Sequence, residues 1–359
     1  MPAAGDLLGL AEVAELLGAS RQTVSNWRQR RSNFPPPDAD LKSGPIWRRG
    51  AIVEWAEANG IAVDTGDEGY DDPRRPSVAT TVALINMKGG VGKSTLTANL
   101  GWYCAYYKNL RVLLVDLDPQ FNLSQYVLGG EKYQQHVEAK GGTVLDILEQ
   151  GTPPDLTEPD LRRNASSENV IAHAKRWNDG SLIDLVPSSL RLSLTLRNPT
   201  DKAQLLERFL DDVRSSYDLI LIDCAPTDSI LTDAAYMASD SVLIPVKPEF
   251  LSTIGLPLVV TSLDRFEVTH NKKVDVLGIV FNATTGAVEH DRSRTYVRRM
   301  AAEQDWYVFR NEVSHSDSYP KGSRLGTPIF LTDYARGTKI DEFASVAEEF
   351  YERLTNDDA

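Results

Sequence analysis

The sequence has few cysteines and no long apolar run. Its 359 residues include only Cys104 and Cys224. Two isolated cysteines are too few for a disulfide framework or a zinc site, which favours a reducing interior. No stretch approaches the roughly 18 apolar residues that a membrane span needs, and the N-terminus lacks the basic start and apolar core of a secretory signal. The sequence therefore predicts a cytoplasmic protein with no membrane attachment.

Basic residues are also in deficit. There are 38 Lys and Arg against 51 Asp and Glu, a net charge of −13. This balance argues against a surface that binds polyanions everywhere. Residues 20–50 are the exception, because seven basic residues stand there against two acidic ones. This local excess of positive charge is the first indication of a nucleic-acid partner.

The chain divides at an acidic segment. Residues 61–76 contain five carboxylates together with Gly and Pro but no apolar periodicity, as is typical of a solvated linker. The sequence therefore predicts a small domain over residues 1–60, a linker over 61–76 and a larger domain over 77–359.

The larger domain predicts an α/β fold. Short runs rich in Val, Ile and Leu alternate with amphipathic stretches of helical length, which favours a parallel sheet with helices on both faces. The predicted strands are 81–86, 111–116, 182–187, 219–223, 241–245 and 276–281. Ligands of such sheets bind at the carboxyl ends of the strands, so we expect functional residues directly after these runs.

A glycine-rich loop follows the first predicted strand, in the sequence NMKGGVGKST. Its glycines allow successive N–H groups to converge on an anion, and the following helix adds the positive end of its dipole. Lys93 would neutralise phosphate oxygens and the Ser94 hydroxyl would coordinate Mg²⁺. The usual phosphate-loop pattern has Gly where this chain has Met87, and Lys88 is an additional lysine. The predicted nucleotide-binding residues of the loop are Gly89, Gly90, Val91, Gly92, Lys93, Ser94 and Thr95.

The run from Lys88 to Thr95 resembles the deviant Walker A motif of the ParA/MinD superfamily of P-loop ATPases. The resemblance implies ATP and Mg²⁺ as cofactors. It also implies a homodimer that sandwiches two ATP molecules, in which Lys88 acts on the nucleotide of the facing subunit as a catalytic residue.

Three later segments extend the resemblance. Residues 113–124 resemble the family's DxDPQ motif, which implies that Asp118 positions the attacking water and Asp116 helps to organise Mg²⁺. Residues 219–223 resemble the Walker B strand, so Asp223 would hold the metal shell. Asn282 follows the last predicted strand, where the superfamily commonly has an asparagine that contacts the base; a plain turn residue is an equally good interpretation.

Among the branches of the superfamily, the resemblance is strongest to ParA, the ATPase of plasmid and chromosome partition. It implies nonspecific DNA binding, association with the nucleoid and a ParB-type centromere-binding partner that accelerates hydrolysis. Arg298 and Arg299 are candidates for nonspecific DNA contacts. Ordinary surface arginines in salt bridges are the alternative.

The basic segment near the N-terminus predicts a helix-turn-helix. Ser20 is a candidate N-cap for a helix from Arg21, in which Val24 and Trp27 face inward. The whole of residues 8–60 resembles the small winged helix-turn-helix of MerR and excisionase-type proteins. A small interaction or dimerisation module is the alternative. The candidate DNA-binding residues are Arg21, Gln22, Thr23, Ser25, Asn26, Arg28, Arg30, Arg31 and Arg48.

Together these features predict a DNA partition ATPase. ATP would close the dimer, the dimer would bind nonspecific DNA, and the N-terminal domain would bind an operator and repress its own operon. Two alternatives remain: a transcriptional regulator that uses the nucleotide as a switch, and a ParA-like positioning ATPase for another cargo.

Overall fold

The computed structural model describes most of both predicted domains. The described residues are 7–17, 19–31, 33–41, 44–61, 78–150, 166–177, 179–197, 202–249, 252–332 and 335–355. Apart from its first residue, the predicted linker lies outside the described residues.

The N-terminal unit combines a small antiparallel sheet with three helices. The sheet has the order β1-β3-β2. Its strands are β1 (Leu7–Gly9), β2 (Ala39–Leu41) and β3 (Gly44–Arg48), and its helices are α1 (Leu10–Leu16), α2 (Arg21–Arg30) and α3 (Arg49–Ala58).

Local sequence explains this unit. Ser20 caps α2, because its Oγ accepts a hydrogen bond of 3.1 Å from the Thr23 amide, and the helix begins at Arg21 as predicted. Val24 and Trp47 are fully buried, and the rings of Trp27 and Trp55 lie 5.5 Å apart. These side chains give the small unit a hydrophobic core of its own.

A seven-stranded sheet organises the described part of the larger unit, in the order β10-β9-β4-β8-β5-β7-β6. Its strands are β4 (Thr80–Leu84), β5 (Arg111–Leu117), β6 (Ala172–Arg176), β7 (Leu182–Val186), β8 (Leu219–Cys224), β9 (Ser241–Val246) and β10 (Asp275–Phe281). The helices are α4 (Lys93–Lys108), α5 (Asn122–Leu128), α6 (Gly130–Glu138), α7 (Val144–Leu148), α8 (Ser167–Val170), α9 (Ala203–Val213), α10 (Ile230–Ala238), α11 (Ser252–His270), α12 (Val288–Glu303), α13 (Ser318–Leu325) and α14 (Gly337–Thr355).

All six predicted strands are confirmed, and one further strand was missed. β6 is antiparallel to β7 and forms one edge of the sheet, so the sheet is mainly rather than wholly parallel. The sequence of β6, AHAKR, lacks the Val, Ile and Leu run of a buried strand. Its side chains are half-buried or exposed, which explains why hydrophobicity did not reveal it.

Helices cover both faces of the sheet. The side chains of α4, α5 and α14 pack on one face, and those of α9, α10, α11 and α12 pack on the other. The strand order places β8 between β4 and β5. The carboxyl ends of these three strands are therefore adjacent, although they lie far apart in sequence.

Candidate nucleotide-binding site

The glycine loop connects β4 to α4 and has two residues with left-handed backbone. Gly90 has φ +75° and Gly92 has φ +87°, a region that favours glycine. A Cβ built on Gly92 would lie 2.2 Å from the Nδ2 atom of Asn282. Position 92 thus requires glycine both for its backbone conformation and for the close approach of Asn282.

Lys93, the first residue of α4, lies inside the loop. Its Nζ atom donates hydrogen bonds to the carbonyl oxygens of Asn86 (3.0 Å) and Lys88 (3.3 Å). Burial lowers the pKa of Lys93, and the nearby Asp223 opposes this shift. Since ammonium groups bind anionic oxygens more strongly than neutral carbonyls, the loop offers a cation to a phosphate ligand.

Lys88 is held by an acidic residue of its own chain. Its amide donates to Asn86 Oδ1 (2.9 Å), and its Nζ donates to Glu249 Oε2 (3.1 Å). Hydrogen bonds from Lys247 and Lys88 lower the pKa of Glu249 against the opposing effect of burial. Glu249 was not among the predicted site residues, and its pairing with Lys88 emerges only from the structure.

Asp116 and Asp223 are register partners in the adjacent strands β5 and β8. The carboxylate of Asp116 is already hydrogen-bonded: Oδ2 accepts from the Ser124 amide (2.8 Å) and hydroxyl (2.6 Å), and Oδ1 accepts from the Asp118 amide (3.1 Å). Burial raises the pKa of Asp116 to about 7. Asp116 therefore organises the chain that follows β5, and its carboxylate is less free for a metal than the resemblance implies.

Asp223 differs from Asp116 in having no well-formed partner. Both of its carboxylate oxygens are buried and lack a hydrogen bond of normal geometry. Burial and the charge of Asp116 raise its pKa, and the neighbouring Ser94 hydroxyl opposes this rise. A buried carboxylate without a partner is costly, and a hard cation would satisfy it.

Asp223 and Ser94 therefore fit a Mg²⁺ site. No cluster of three or more His, Cys, Asp or Glu side chains that could hold a metal is found among the described residues. Mg²⁺ is often held by one or two protein ligands, water and the phosphates of a nucleotide.

Asp118 lies at the edge of the same site and is 7% exposed. Its Oδ1 accepts from the Gln120 amide (2.9 Å), and its carbonyl oxygen accepts from the Ser188 hydroxyl (2.7 Å). Ser188 follows β7 and was not predicted. The only available signal was its position just beyond a predicted strand.

The chain is similar to known proteins. The family model described as an AAA domain matches residues 79–276. The sporulation initiation inhibitor protein Soj of Bacillus subtilis is 33% identical over 267 residues, which cover 72% of this chain and 94% of Soj. The chain belongs to the ParA/Soj-type P-loop ATPases.

Solved structures of other proteins share the fold. The ATP complex of the D38A variant of McdA from Cyanothece has a TM-score of 0.62 at 21% identity, covering 79% of this chain and 99% of McdA. A putative plasmid partition protein of Borrelia burgdorferi bound to AMPPNP has a TM-score of 0.57 at 21% identity, covering 77% of this chain and 99% of that protein. A further relative is known from its sequence. The cell division protein PomZ of Myxococcus xanthus is 27% identical over 255 residues, which cover 70% of this chain and 71% of PomZ.

In this ParA/Soj-type chain, Asn282 directly supports the phosphate loop. Its Nδ2 donates to the Val91 carbonyl oxygen (2.8 Å), and the residue is 7% exposed. The side-chain amide thus already has a partner in the loop. Contact between Asn282 and a base stays a prediction.

Glu312 partly neutralises two arginines of α12, Arg294 and Arg298. Arg294 makes a bidentate ion pair with Glu312, with a shortest distance of 2.8 Å, and Arg298 approaches the same carboxylate to 3.6 Å. Arg299 lies 3.8 Å from Glu303 on α12 and is two-thirds exposed. The surface of α12 that is predicted to bind nonspecific DNA is therefore exposed, but it carries less unpaired positive charge than the sequence implies.

The predicted DNA-binding residues of the N-terminal unit lie in three environments. Arg21, Gln22, Arg28 and Arg30 are exposed on α2, while Thr23, Ser25 and Asn26 are half-buried. Arg31 packs inward: its guanidinium lies over the rings of Trp27 and Trp55 and donates to Asn59 Oδ1 (3.2 Å).

Arg48 belongs to a contact between the two units. Its guanidinium lies 3.8 Å from the ring centroid of Tyr107 at the end of α4, and its Nε lies 3.3 Å from Asp38. Lys175 pairs with Glu54 across the same contact (3.1 Å). The structure thus places Arg48 against the ATPase unit rather than on an open surface beside α2.

Among the described residues, no helix combines the length and apolar character needed to cross a membrane.

Proposed function

We propose that this protein is an ATP- and Mg²⁺-dependent partition ATPase. ATP joins two copies of the chain, the dimer binds nonspecific DNA, and hydrolysis separates the copies. A ParB-type protein accelerates hydrolysis, and the N-terminal unit binds an operator. The relatives support this proposal: Soj of Treponema pallidum, 33% identical over 204 residues, is described as a chromosome-partitioning ATPase.

One observation carries the proposal. Lys88 and Lys93 emerge from one glycine loop, beside the buried Asp223, whose carboxylate has no well-formed partner. Two cations and one metal-binding carboxylate at a helix N-terminus suit the phosphates of a Mg²⁺-nucleotide. Lys93 serves the nucleotide of its own chain, and Lys88 exchanges Glu249 for the nucleotide of the facing chain.

Turnover and oligomeric state of Asp118→Ala test the ATPase. The variant should bind ATP, hydrolyse it at least about a hundredfold more slowly and accumulate as a dimer in light scattering, because Asp118 orients the attacking water. Glu303→Ala, an exposed change on α12, is the control. Wild-type turnover in Asp118→Ala would refute the role assigned to Asp118.

Operator binding is tested within the N-terminal unit. Arg21→Ala should weaken operator binding and reduce the slope of log K against log salt by about 1, as expected for one phosphate contact. Arg31→Ala should mainly destabilise the unit, because Arg31 packs on Trp27 and Trp55. Operator affinity that is unchanged in Arg21→Ala at every salt concentration would contradict a contact between α2 and DNA.

A nucleotide-switched transcriptional regulator is the second candidate. The pairing of Glu312 with Arg294 and Arg298 favours it, because this pairing reduces the charge available for nonspecific DNA. Measuring nonspecific DNA binding of the ATP-bound protein separates the two functions. A partition ATPase binds such DNA with ATP and loses affinity in Arg298→Ala, whereas a regulator binds only its operator.

A further inference from the structure

Tyr133, on the outer helix α6, is connected to Asp118 by two routes. Its ring stacks on Phe121, with centroids 5.1 Å apart and planes inclined by 11°. Its hydroxyl donates to the Ser188 carbonyl oxygen (2.9 Å), and the Ser188 hydroxyl donates to the Asp118 carbonyl oxygen (2.7 Å). The Phe121 amide donates to that same carbonyl oxygen (2.9 Å). Asp118, Phe121, Tyr133 and Ser188 therefore form a closed ring of contacts.

Three members of this ring of contacts are buried, Phe121 is half-buried, and the ring is connected to the Asp116 carboxylate. Tyr133 is 7% exposed and Ser188 is fully buried. Burial raises the pKa of Tyr133 to about 12. The Ser188 amide donates to the Ser124 hydroxyl (2.9 Å), which donates to Asp116. The chain around Asp118 is thus fixed from α6 and from the ends of β5 and β7.

Phe121 adopts a backbone conformation that its residue type disfavours. Its φ is +48°, in the left-handed region where a Cβ meets steric conflict. Glycine would adopt this conformation without that cost. Strain at a bulky residue beside a reactive group persists only where other contacts hold it, and here the Tyr133 ring provides such a contact.

We propose that Tyr133 and Phe121 are positioning residues that fix Asp118 in the orientation needed to direct the attacking water. The proposal rests on the proposed ATPase function. Neither aromatic residue touches the nucleotide in this role; both act through the backbone of residues 118–121. Loss of this ring of contacts should therefore slow hydrolysis while leaving nucleotide affinity intact. A misplacement of a catalytic side chain by about 1 Å can lower a rate about a hundredfold.

Substitutions in the full chain separate the two routes. Tyr133→Phe removes only the hydroxyl contact with Ser188, and kcat for ATP should fall about threefold. Tyr133→Leu and Phe121→Gly remove the stack, and kcat should fall about tenfold or more. Phe121→Tyr keeps the stack and should retain wild-type turnover. The dissociation constant of Mg²⁺-AMPPNP should change by less than about twofold in all four variants.

Phe121→Gly distinguishes positioning from a general structural role. Glycine relieves the left-handed strain, so the thermal midpoint should stay near that of the wild type while kcat falls. Gln134→Ala is the matched control on α6, because its exposed side chain contacts Glu138 on the same helix. If Tyr133→Leu fails to fold, Phe121→Gly and Tyr133→Phe decide the outcome.

Two results in the Tyr133 and Phe121 variants would overturn the inference. One is unchanged kcat in Phe121→Gly and Tyr133→Leu; the other is a loss of AMPPNP affinity that matches the loss in kcat. Asp118→Ala is measured alongside to separate this inference from the proposed function. If Asp118→Ala is inactive and the ring variants are normal, the positioning role alone is wrong. If Asp118→Ala hydrolyses ATP normally, the role of Asp118 and the positioning role both fail.

Discussion

Lys88 Nζ and Glu249 Oε2 lie 3.1 Å apart, so the signature lysine of the phosphate loop is paired within its own chain. Glu249 follows β9, which is the neighbour of β4 in the sheet, and this adjacency brings the two residues together across 161 positions of sequence. The pair is partly exposed, with 20% of the Lys88 side chain and 37% of the Glu249 side chain accessible. Exposure keeps the ion pair weak enough for a phosphate to replace Glu249.

Glu249→Gln should therefore favour the ATP-bound dimer. Removing the carboxylate charge leaves Lys88 available to the nucleotide of a second chain, so the AMPPNP concentration at half-dimerisation should fall about threefold. Size-exclusion chromatography with light scattering measures this shift. Lys88→Ala should abolish dimerisation but retain monomer binding. A Glu249→Gln protein that dimerises less readily would contradict competition between Glu249 and phosphate.

Asp223→Asn should stabilise the nucleotide-free protein while impairing binding of Mg²⁺-ATP. The substitution removes a buried charge whose oxygens lack well-formed hydrogen bonds, which should raise the free energy of unfolding by about 1–3 kcal/mol. Calorimetry measures the first effect, and titration with Mg²⁺-AMPPNP measures the second.

Asp218→Asn is the matched control, because Asp218 is also buried but forms a bidentate pair with Arg111, with a shortest distance of 2.7 Å. This control should lose about 2 kcal/mol, less than a fully buried pair because a quarter of the Arg111 side chain is exposed. A destabilised Asp223→Asn protein would show that the Asp223 carboxylate has a stabilising partner.

Gly92→Ala and Gly90→Ala should differ although both glycines have positive φ. A methyl group at 92 meets the Asn282 amide at 2.2 Å, whereas one at 90 meets nothing within 4 Å. Gly90→Ala should cost about 1 kcal/mol from backbone strain alone. Gly92→Ala should cost about 3 kcal/mol or more and abolish AMPPNP binding.

Chemical denaturation and nucleotide titration measure both glycine variants. Combining Gly92→Ala with Asn282→Gly should recover part of the stability, because it removes the clash but not the backbone strain. Equal effects of the two single variants would indicate that Asn282 does not constrain the loop.

Arg48→Ala should loosen the contact between the N-terminal unit and the ATPase unit. A guanidinium over a tyrosine ring contributes about 0.5–2 kcal/mol, and Arg48 lies 3.8 Å from the Tyr107 centroid. Small-angle scattering should show a larger radius of gyration for Arg48→Ala and Tyr107→Ala, and no further increase in the double variant. Tyr107→Phe keeps the ring and should match the wild type. Identical radii for all variants would show that this contact does not hold the units together.

Much of the fold follows from local sequence. Buried strands of a parallel sheet are continuous apolar runs, which is why the positions of β4, β5, β7, β8, β9 and β10 were predictable. The α2 cap at Ser20 and the helix from Lys93 were equally local. β6 was not predictable, because a half-exposed edge strand has neither continuous apolar residues nor a clear alternation.

The site was predictable in composition but not in its contacts. The glycine loop, Asp118 and Asp223 are recognisable because their sequence neighbours form motifs. Ser188 has no such neighbours. The contacts that Glu249 and Ser188 make are with residues far away in sequence, which a local motif does not reveal. The ion pair between Arg294 and Glu312 was likewise not predictable from the sequence, because the two residues meet only when the chain after α12 returns to that helix.

The sequence by itself determined the phosphate loop, the order of strands and helices along the chain, and the basic N-terminal segment, because these depend on residues within a few positions of one another. Only the tertiary structure decided that Asp116 accepts well-formed hydrogen bonds while the Asp223 oxygens lack them, that Lys88 pairs with Glu249, and that Arg48 contacts Tyr107. The physical reason is the crossover topology: it places β8 between β4 and β5, so the strand ends that build the site meet through packing rather than through sequence proximity.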